Sequence, residues 1–164
     1  MSGRSYKKLT RSDLSRLLRI AEDDRDDFFR RKTDTGRLYS GRLFAVALCQ
    51  GAALHYIDGK NGIKDLDVWS FYRANPKRQF PPRRRGKADF GDPKFGTTEG
   101  FEHFVGRRVD LIGRSIAAKS YVNPVEVLRD YLRGRRTESS RRLSEKAMVL
   151  IYPPTLFGKV IWPV

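Results

Sequence analysis

The sequence predicts an α/β fold in which short apolar strands alternate with helices. Three observations carry that expectation. Leu14, Leu17, Leu18 and Ala21, with Phe28 further along, recur at helical spacing. Residues 41–50 hold a strongly apolar run bounded by Gly41 and Gly51, the pattern of a buried strand. Around Asp65 and again around Asp110, acidic and apolar residues alternate, which is strand spacing with one polar face.

The first helix is expected over 11–31. Thr10 stands at its N-cap and Asp13 at the third helical position, the arrangement of a capping box. Glu22, Asp23, Asp24, Asp26 and Asp27 fall mostly off the apolar stripe and read as a solvated face. Thr35-Gly36 is turn chemistry that closes this element. Leu43 to Leu48 then reads as a strand, 52–57 as a short helix, and 58–62, with Gly59 and Gly62, as a turn. The second strand is expected over 64–72. Residues 75–100, with Pro76, Pro81, Pro82, Pro93 and the run Arg83-Arg84-Arg85, read as a loop, and a loop of that length is usually functional or disordered. A third strand is expected over 107–112.

Asn123-Pro124 with Glu126 is a cap-and-proline helix start, and Val125, Leu128 and Leu132 supply its apolar face. A further helical stretch, 139–148, feeds the apolar run 148–152, which Pro153-Pro154 ends. The apolar tail 155–164 is expected to dock on the domain. The organisation is thus one domain over 1–164, with a long basic loop at about 75–104 and a helical C-terminal part from about 123.

Charge is the compositional outlier. Lys and Arg number 34 against 19 Asp and Glu, a formal net charge of +15. A field of that sign concentrates anionic partners, whether nucleic acid, nucleotides or an anionic membrane surface. The single cysteine, Cys49, excludes an internal disulfide and a cysteine-built zinc site, and its apolar neighbours make it a small core residue. There is no apolar run of the roughly 18 residues that a spanning helix needs. A soluble, cytoplasmic protein without membrane contact is expected. His55 and His103 are the only histidines, too few for a structural zinc site, and His55 reads as a packing residue. Trp69 reads as core, and Arg107-Arg108 and Arg141-Arg142 as solvated faces.

Asp65 and Asp67 stand one residue apart, with Leu66 and Val68 interleaved. On a strand both carboxylates share a face, and two such groups repel unless a cation sits between them. A hard ion such as Mg²⁺ suits all-oxygen donors and usually works together with substrate phosphates. Gly51, ahead of the pair, lets backbone approach those phosphates closely. Asp110, between Val109 and Leu111, repeats the alternation. An Asp-x-Asp pair alone also marks some nucleotide-sugar glycosyltransferases.

In this order, Gln50-Gly51-Ala52, then Asp65-Leu66-Asp67-Val68, then Asp110, the chain resembles the nucleotidyltransferase superfamily with its polymerase-beta-like fold. The resemblance covers 41–112. It implies an α/β domain with a small mixed sheet of about four or five strands flanked by helices. It implies catalytic, metal-holding roles for Asp65, Asp67 and Asp110, with Mg²⁺ or Mn²⁺ as cofactor in a two-metal displacement. It also implies a nucleoside triphosphate substrate whose phosphates lie against Gly51 and Ala52. The family usually has serine or glycine where this chain has Ala52, so a backbone donor is kept and a hydroxyl lost. Arg83, Arg84 and Arg85, with Lys119, are the candidate contacts to polyphosphate or nucleic acid.

The activity implied is transfer of a nucleoside monophosphate to an acceptor: RNA, a protein side chain or a small hydroxyl compound. The positive charge tilts the expectation toward RNA. Toxin–antitoxin and phage-defence roles, known in this superfamily, are compatible. The alternative is a non-catalytic basic nucleic-acid-binding protein on the same fold, with Phe80, Phe90, Phe95, Phe101 and Phe104 available to stack on bases.

Overall fold

Local chemistry starts the first helix where the sequence places it. In the computed structural model, which describes residues 3–81 and 85–164, α1 runs over Arg11–Arg31. The Thr10 hydroxyl accepts from the Asp13 N–H, and the Asp13 carboxylate accepts the Thr10 N–H at 2.8 Å. Lys32 alone separates α1 from a second helix, α2 (Thr33–Tyr39), where the sequence predicts a turn at Thr35-Gly36. Packing accounts for the difference. A Cβ on Gly36 would stand 2.9 Å from the Phe29 carbonyl oxygen, so glycine lets α2 lie directly against α1.

Strand β1 (Leu43–Cys49) leads straight into α3 (Gln50–Asp58), which Gly59 closes in the left-handed conformation. Next come β2 (Leu66–Arg73), β3 (Arg85–Asp89) and β4 (Arg108–Ile116). Helices α4 (Pro124–Gly134) and α5 (Glu138–Leu143) precede β5 (Met148–Tyr152) and β6 (Val160–Trp162). The six strands form one mixed sheet in the order β3-β4-β2-β1-β5-β6, with β2 and β4 parallel and the other neighbours antiparallel.

Alternation along the strands divides the core into two layers. Val46, Leu48, Leu66, Val68, Val109, Leu111, Val149 and Ile151 pack against Leu14, Leu17 and Ala21 of α1 and Ala52 and Ala53 of α3. Their sequence neighbours Ala45, Ala47, Trp69, Phe71, Ile112 and Leu150 pack on the other face, against Leu128 and Leu132 of α4 and Leu143 of α5. The architecture is therefore a mixed α/β sheet with helices on both faces. No helix among the described residues is long and apolar enough to cross a membrane.

Two parts of the expected 75–104 loop are ordered structure. Strand β3 lies within it, and so does a short 3-10 turn at Pro93–Phe95 that buries Phe95. The predicted third strand extends past 112 to Ile116, and the stretch expected to be helical over 139–148 breaks into α5 and the approach to β5. The tail docks as β6 on β5.

Arg107 fixes the region that carries the carboxylates. Read from sequence as part of a solvated pair, it is only 2% exposed. Its guanidinium donates to three backbone carbonyls: Phe95 from Nε at 3.0 Å, Lys64 from Nη1 at 3.2 Å and Gly3 from Nη2 at 2.8 Å. Lys64 immediately precedes Asp65, so this one side chain ties the start of β2 to the turn at 93–95. Arg107→Met leaves those carbonyls without a donor and is expected to destabilise the protein by about 2–4 kcal/mol in urea unfolding. Arg107→Lys recovers little of this, because one ammonium lacks the planar fork. A change below about 0.5 kcal/mol in Arg107→Met would show that the three bonds are incidental.

Candidate active site

The site begins at the junction of β1 and α3. Gln50 sits at φ 66°, left-handed for a residue with a side chain, a conformation that costs on the order of 1 kcal/mol. Its backbone N–H donates to the Ala147 carbonyl at 3.0 Å and its side-chain amide to the Arg142 carbonyl at 3.4 Å. That sharp turn starts α3 and leaves Gly51 in the first helical turn, where backbone N–H groups have no intrahelical partner. A Cβ built on Gly51 meets nothing within 4 Å. Ala52, by contrast, turns its methyl into the core at 1% exposure, so it offers the site only its backbone.

Asp67 and Asp110 are direct partners in the parallel ladder of β2 and β4, so their side chains leave the same face on adjacent strands. On the other side of Asp67 the register partner is Cys49. Asp65 falls one residue before β2 rather than within it, so the strand geometry expected for the pair holds for Asp67 alone. Arg108 draws the cluster together. Its Nη2 lies 3.5 Å from Asp65 and 3.1 Å from Asp110, and its Nε lies 3.1 Å from the second Asp110 oxygen. Lys87 on the edge strand is the register partner of Asp110, and Arg85, two residues earlier on the same face, adds a second exposed cation.

These surroundings act most strongly on Asp67. Burial, and then the charges of Asp110 and Asp65, push its carboxyl up from 3.8 to about 7, against the weaker pull of Arg108 and Arg85. Burial, with Asp67 beside it, also raises the Cys49 thiol well above its ordinary value, so at neutral pH it is no nucleophile. The chain matches no protein-family model, no curated protein and no solved structure.

The donor set is all carboxylate oxygen, which suits a hard divalent ion, and a carboxyl raised to about 7 by its acidic neighbours is what a cation would relieve. The residues thus fit Mg²⁺ or Mn²⁺ in kind. Among the described residues, however, no three His, Cys, Asp or Glu side chains form a ready metal-holding group. Arg108 occupies the position between Asp65 and Asp110 instead, so ion binding requires it to turn aside.

The other sequence candidates separate. Arg83 and Arg84 lie outside the described residues, whereas Arg85 stands beside the carboxylates. Lys119 does not. It follows the C-terminal end of β4, beyond Ile116, which is itself roughly 20 Å along the strand from Asp110. There it lines an open cleft of about 880 Å³ with Arg114, Tyr131 and Arg136. His55 is buried, with Nδ1 2.6 Å from the Asn61 carbonyl, so its role is structural. Arg108, read from sequence as part of a solvated face, instead pairs with Asp65 and Asp110, and Lys87 is a site residue that the sequence did not single out. The available signal was alternation: Arg108 stands two residues before Asp110 on the same strand face.

Proposed function

We propose that this chain is a metal-dependent nucleotidyltransferase of the polymerase-beta-like kind, moving a nucleoside monophosphate from a nucleoside triphosphate to an anionic acceptor, RNA foremost. The observation that carries the reading is the pairing of Asp67 with Asp110 on parallel strands, next to the strand that ends at the Gln50-Gly51 turn. Asp65, Asp67 and Asp110 are the residues that would hold Mg²⁺ or Mn²⁺, and the bound ions would offset polyphosphate charge and activate the attacking hydroxyl.

The chain's own groups supply the rest. Open space over Gly51 admits a phosphate to backbone N–H groups of the first turn of α3, which have no partner within the helix. Arg108, Arg85 and Lys87 border the carboxylates and meet the negative charge of the triphosphate and the acceptor. Deprotonation of Asp67 readies the carboxylate face for a cation. Once its proton is gone, three carboxylates face Arg108, Arg85 and Lys87 among the described residues.

A second reading is favoured by Arg108 itself. Its ion pairs to Asp65 and Asp110 offset much of the cluster's charge without any bound ion, as a non-catalytic nucleic-acid-binding protein would require. The test is incubation with each labelled nucleoside triphosphate, Mg²⁺ or Mn²⁺ and total RNA or protein. Label is expected to move onto RNA and to fall to background in the double variant Asp65→Ala/Asp67→Ala. Transfer that survives this change overturns the mechanism, and tight RNA binding without transfer by the intact protein favours the second reading.

A further inference from the structure

We propose that Phe101, His103 and Phe104 form a stacking platform for an unpaired base of a single-stranded nucleic acid, beside the carboxylate cluster. The inference builds on the transferase reading, in which that strand is the acceptor.

Of the five phenylalanines that the sequence offers for stacking, the fold withdraws three. Phe80, Phe90 and Phe95 are buried, at 2%, 1% and 1% exposure. Phe101 and Phe104 remain half-buried at the surface with exposed His103 between them, and Val105 beyond is 58% exposed. Ring centroids lie 5.3 Å apart for Phe101 and Phe104, 6.0 Å for Phe101 and His103, and 4.6 Å for His103 and Phe104. The rings are inclined to one another by 31°, 44° and 59°, so each offers its own face or edge to a base.

Its position and rigidity point to a ligand. The Lys87 ammonium lies 5.4 Å from the Phe101 centroid and the Arg108 guanidinium 4.9 Å from it. Arg108 is the same side chain that pairs with Asp65 and Asp110, so one guanidinium joins the platform to the carboxylates. With both cations against Phe101, the base is expected on the Phe104 ring, with His103, inclined by 59° to that ring, against the base's edge. The loop is held in place before any ligand arrives. Phe101 donates its N–H to the Thr98 carbonyl at 2.9 Å, Phe104 to the Phe101 carbonyl at 3.0 Å, and Arg108 to the Thr98 hydroxyl at 2.9 Å. At its far end Asp89 accepts the Val105 and Gly106 N–H groups at 2.7 and 2.9 Å. Burial alone would raise the Asp89 carboxyl, but these donors and Gly91 hold it below its usual range, so it stays charged. A rigid aromatic surface loses little entropy when a base settles on it.

Charge selects a strand as the occupant. Arg85 and Lys87 lie exposed on the edge strand beside the platform, in a chain of net charge +15, and successive phosphates of a strand can meet both.

The experiment is fluorescence anisotropy of a labelled single strand of about 12 nucleotides, a length within the usual site sizes for such binders. It is run without divalent ions on an intact strand, on a matched strand with abasic positions, and with free nucleoside triphosphate as competitor. The protein is expected to bind the intact strand at least about tenfold more tightly than the abasic one, with Phe101→Leu/Phe104→Leu removing that preference and Phe101→Trp/Phe104→Trp keeping it. Lys87→Gln is expected to weaken both strands equally and to lower the salt slope by about 0.7. Equal binding of the two strands, or a preference that survives the leucine pair, overturns the proposal. So does loss of triphosphate competition in the leucine pair with strand binding unchanged, which assigns the rings to the substrate's own base. Because no transfer is measured, absence of transferase activity leaves the platform standing. Transfer without base-dependent binding removes the platform and leaves the transferase reading intact.

Discussion

Asp67→Asn is expected to make the metal-free protein more stable at pH 8, by about 2–4 kcal/mol, while abolishing transfer. Burial, Asp110 and Asp65 together raise the folded-state carboxyl from 3.8 to about 7. A group whose pKa is raised by folding holds its proton more tightly in the native state. Its contribution to stability is fully present below about pH 4 and is lost as pH climbs through about 7. At pH 8 the carboxylate is charged in both states and the native state bears the whole penalty. Asparagine has nearly the same shape and no charge, so it removes the penalty at every pH, and its amide N–H groups can donate to the neighbouring carboxylates.

Urea or thermal unfolding of both proteins in chelator, at pH 4.5 and pH 8, tests this. The two are expected to be close at the lower pH and to separate at the higher, so that the variant shows a flatter pH profile. If the site holds a metal, Mn²⁺ at pH 8 is expected to raise the stability of the wild type and to leave the variant nearly unchanged, since only the wild type retains a carboxylate at position 67. A variant that is less stable than the wild type at pH 8 would refute the electrostatic account of Asp67. The site would then be an ordinary buried polar cluster satisfied by its arginine.

The parts of this molecule that were legible in its sequence are those governed by neighbours in the chain. The Thr10 and Asp13 cap and the leucine stripe define α1 to its boundaries, and alternation around Asp67 and Asp110 exposes β2 and β4. Strand β3 was not legible. Arg-Gly-Lys-Ala-Asp has no apolar alternation, and it is a strand because β4 supplies its ladder at the sheet edge. Helix α2 was hidden by Thr-Asp-Thr-Gly, whose turn chemistry is overridden by the close approach of Gly36 to Phe29. The site shows the same division. The three aspartates announce themselves through spacing. Arg108 does not, because one of its partners, Asp65, is 43 positions away, and only the parallel pairing of β2 and β4 brings them together. Arg107, its neighbour in sequence and the residue just before β4, is instead buried and held by the Phe95, Lys64 and Gly3 carbonyls.

Gly51→Ala separates a glycine kept for the fold from one kept for a ligand, and the two cases predict opposite signs. Gly51 lies in the first turn of α3, its φ is not positive, and a methyl there meets nothing within 4 Å. Nothing in the protein itself therefore requires glycine. Alanine should stabilise the helix by about 0.5–1 kcal/mol, through propensity and a less flexible unfolded chain. If the N–H groups at this turn receive a phosphate, the same methyl occupies the phosphate's path and displaces it from its donors. Transfer is then expected to fall by about 100-fold, the order found when one preorganised donor to developing charge is removed. The paired measurements are a melting curve without ligand and kcat/KM for label transfer. Higher stability with much lower activity places the triphosphate at Gly51. Higher stability with unchanged activity removes Gly51 from the site and moves the triphosphate toward the edge strand, where Arg85 and Lys87 are exposed. The neighbouring residue supplies the control: Ala52→Gly opens space in the core rather than toward the ligand, so it should lower stability while leaving the phosphate path clear.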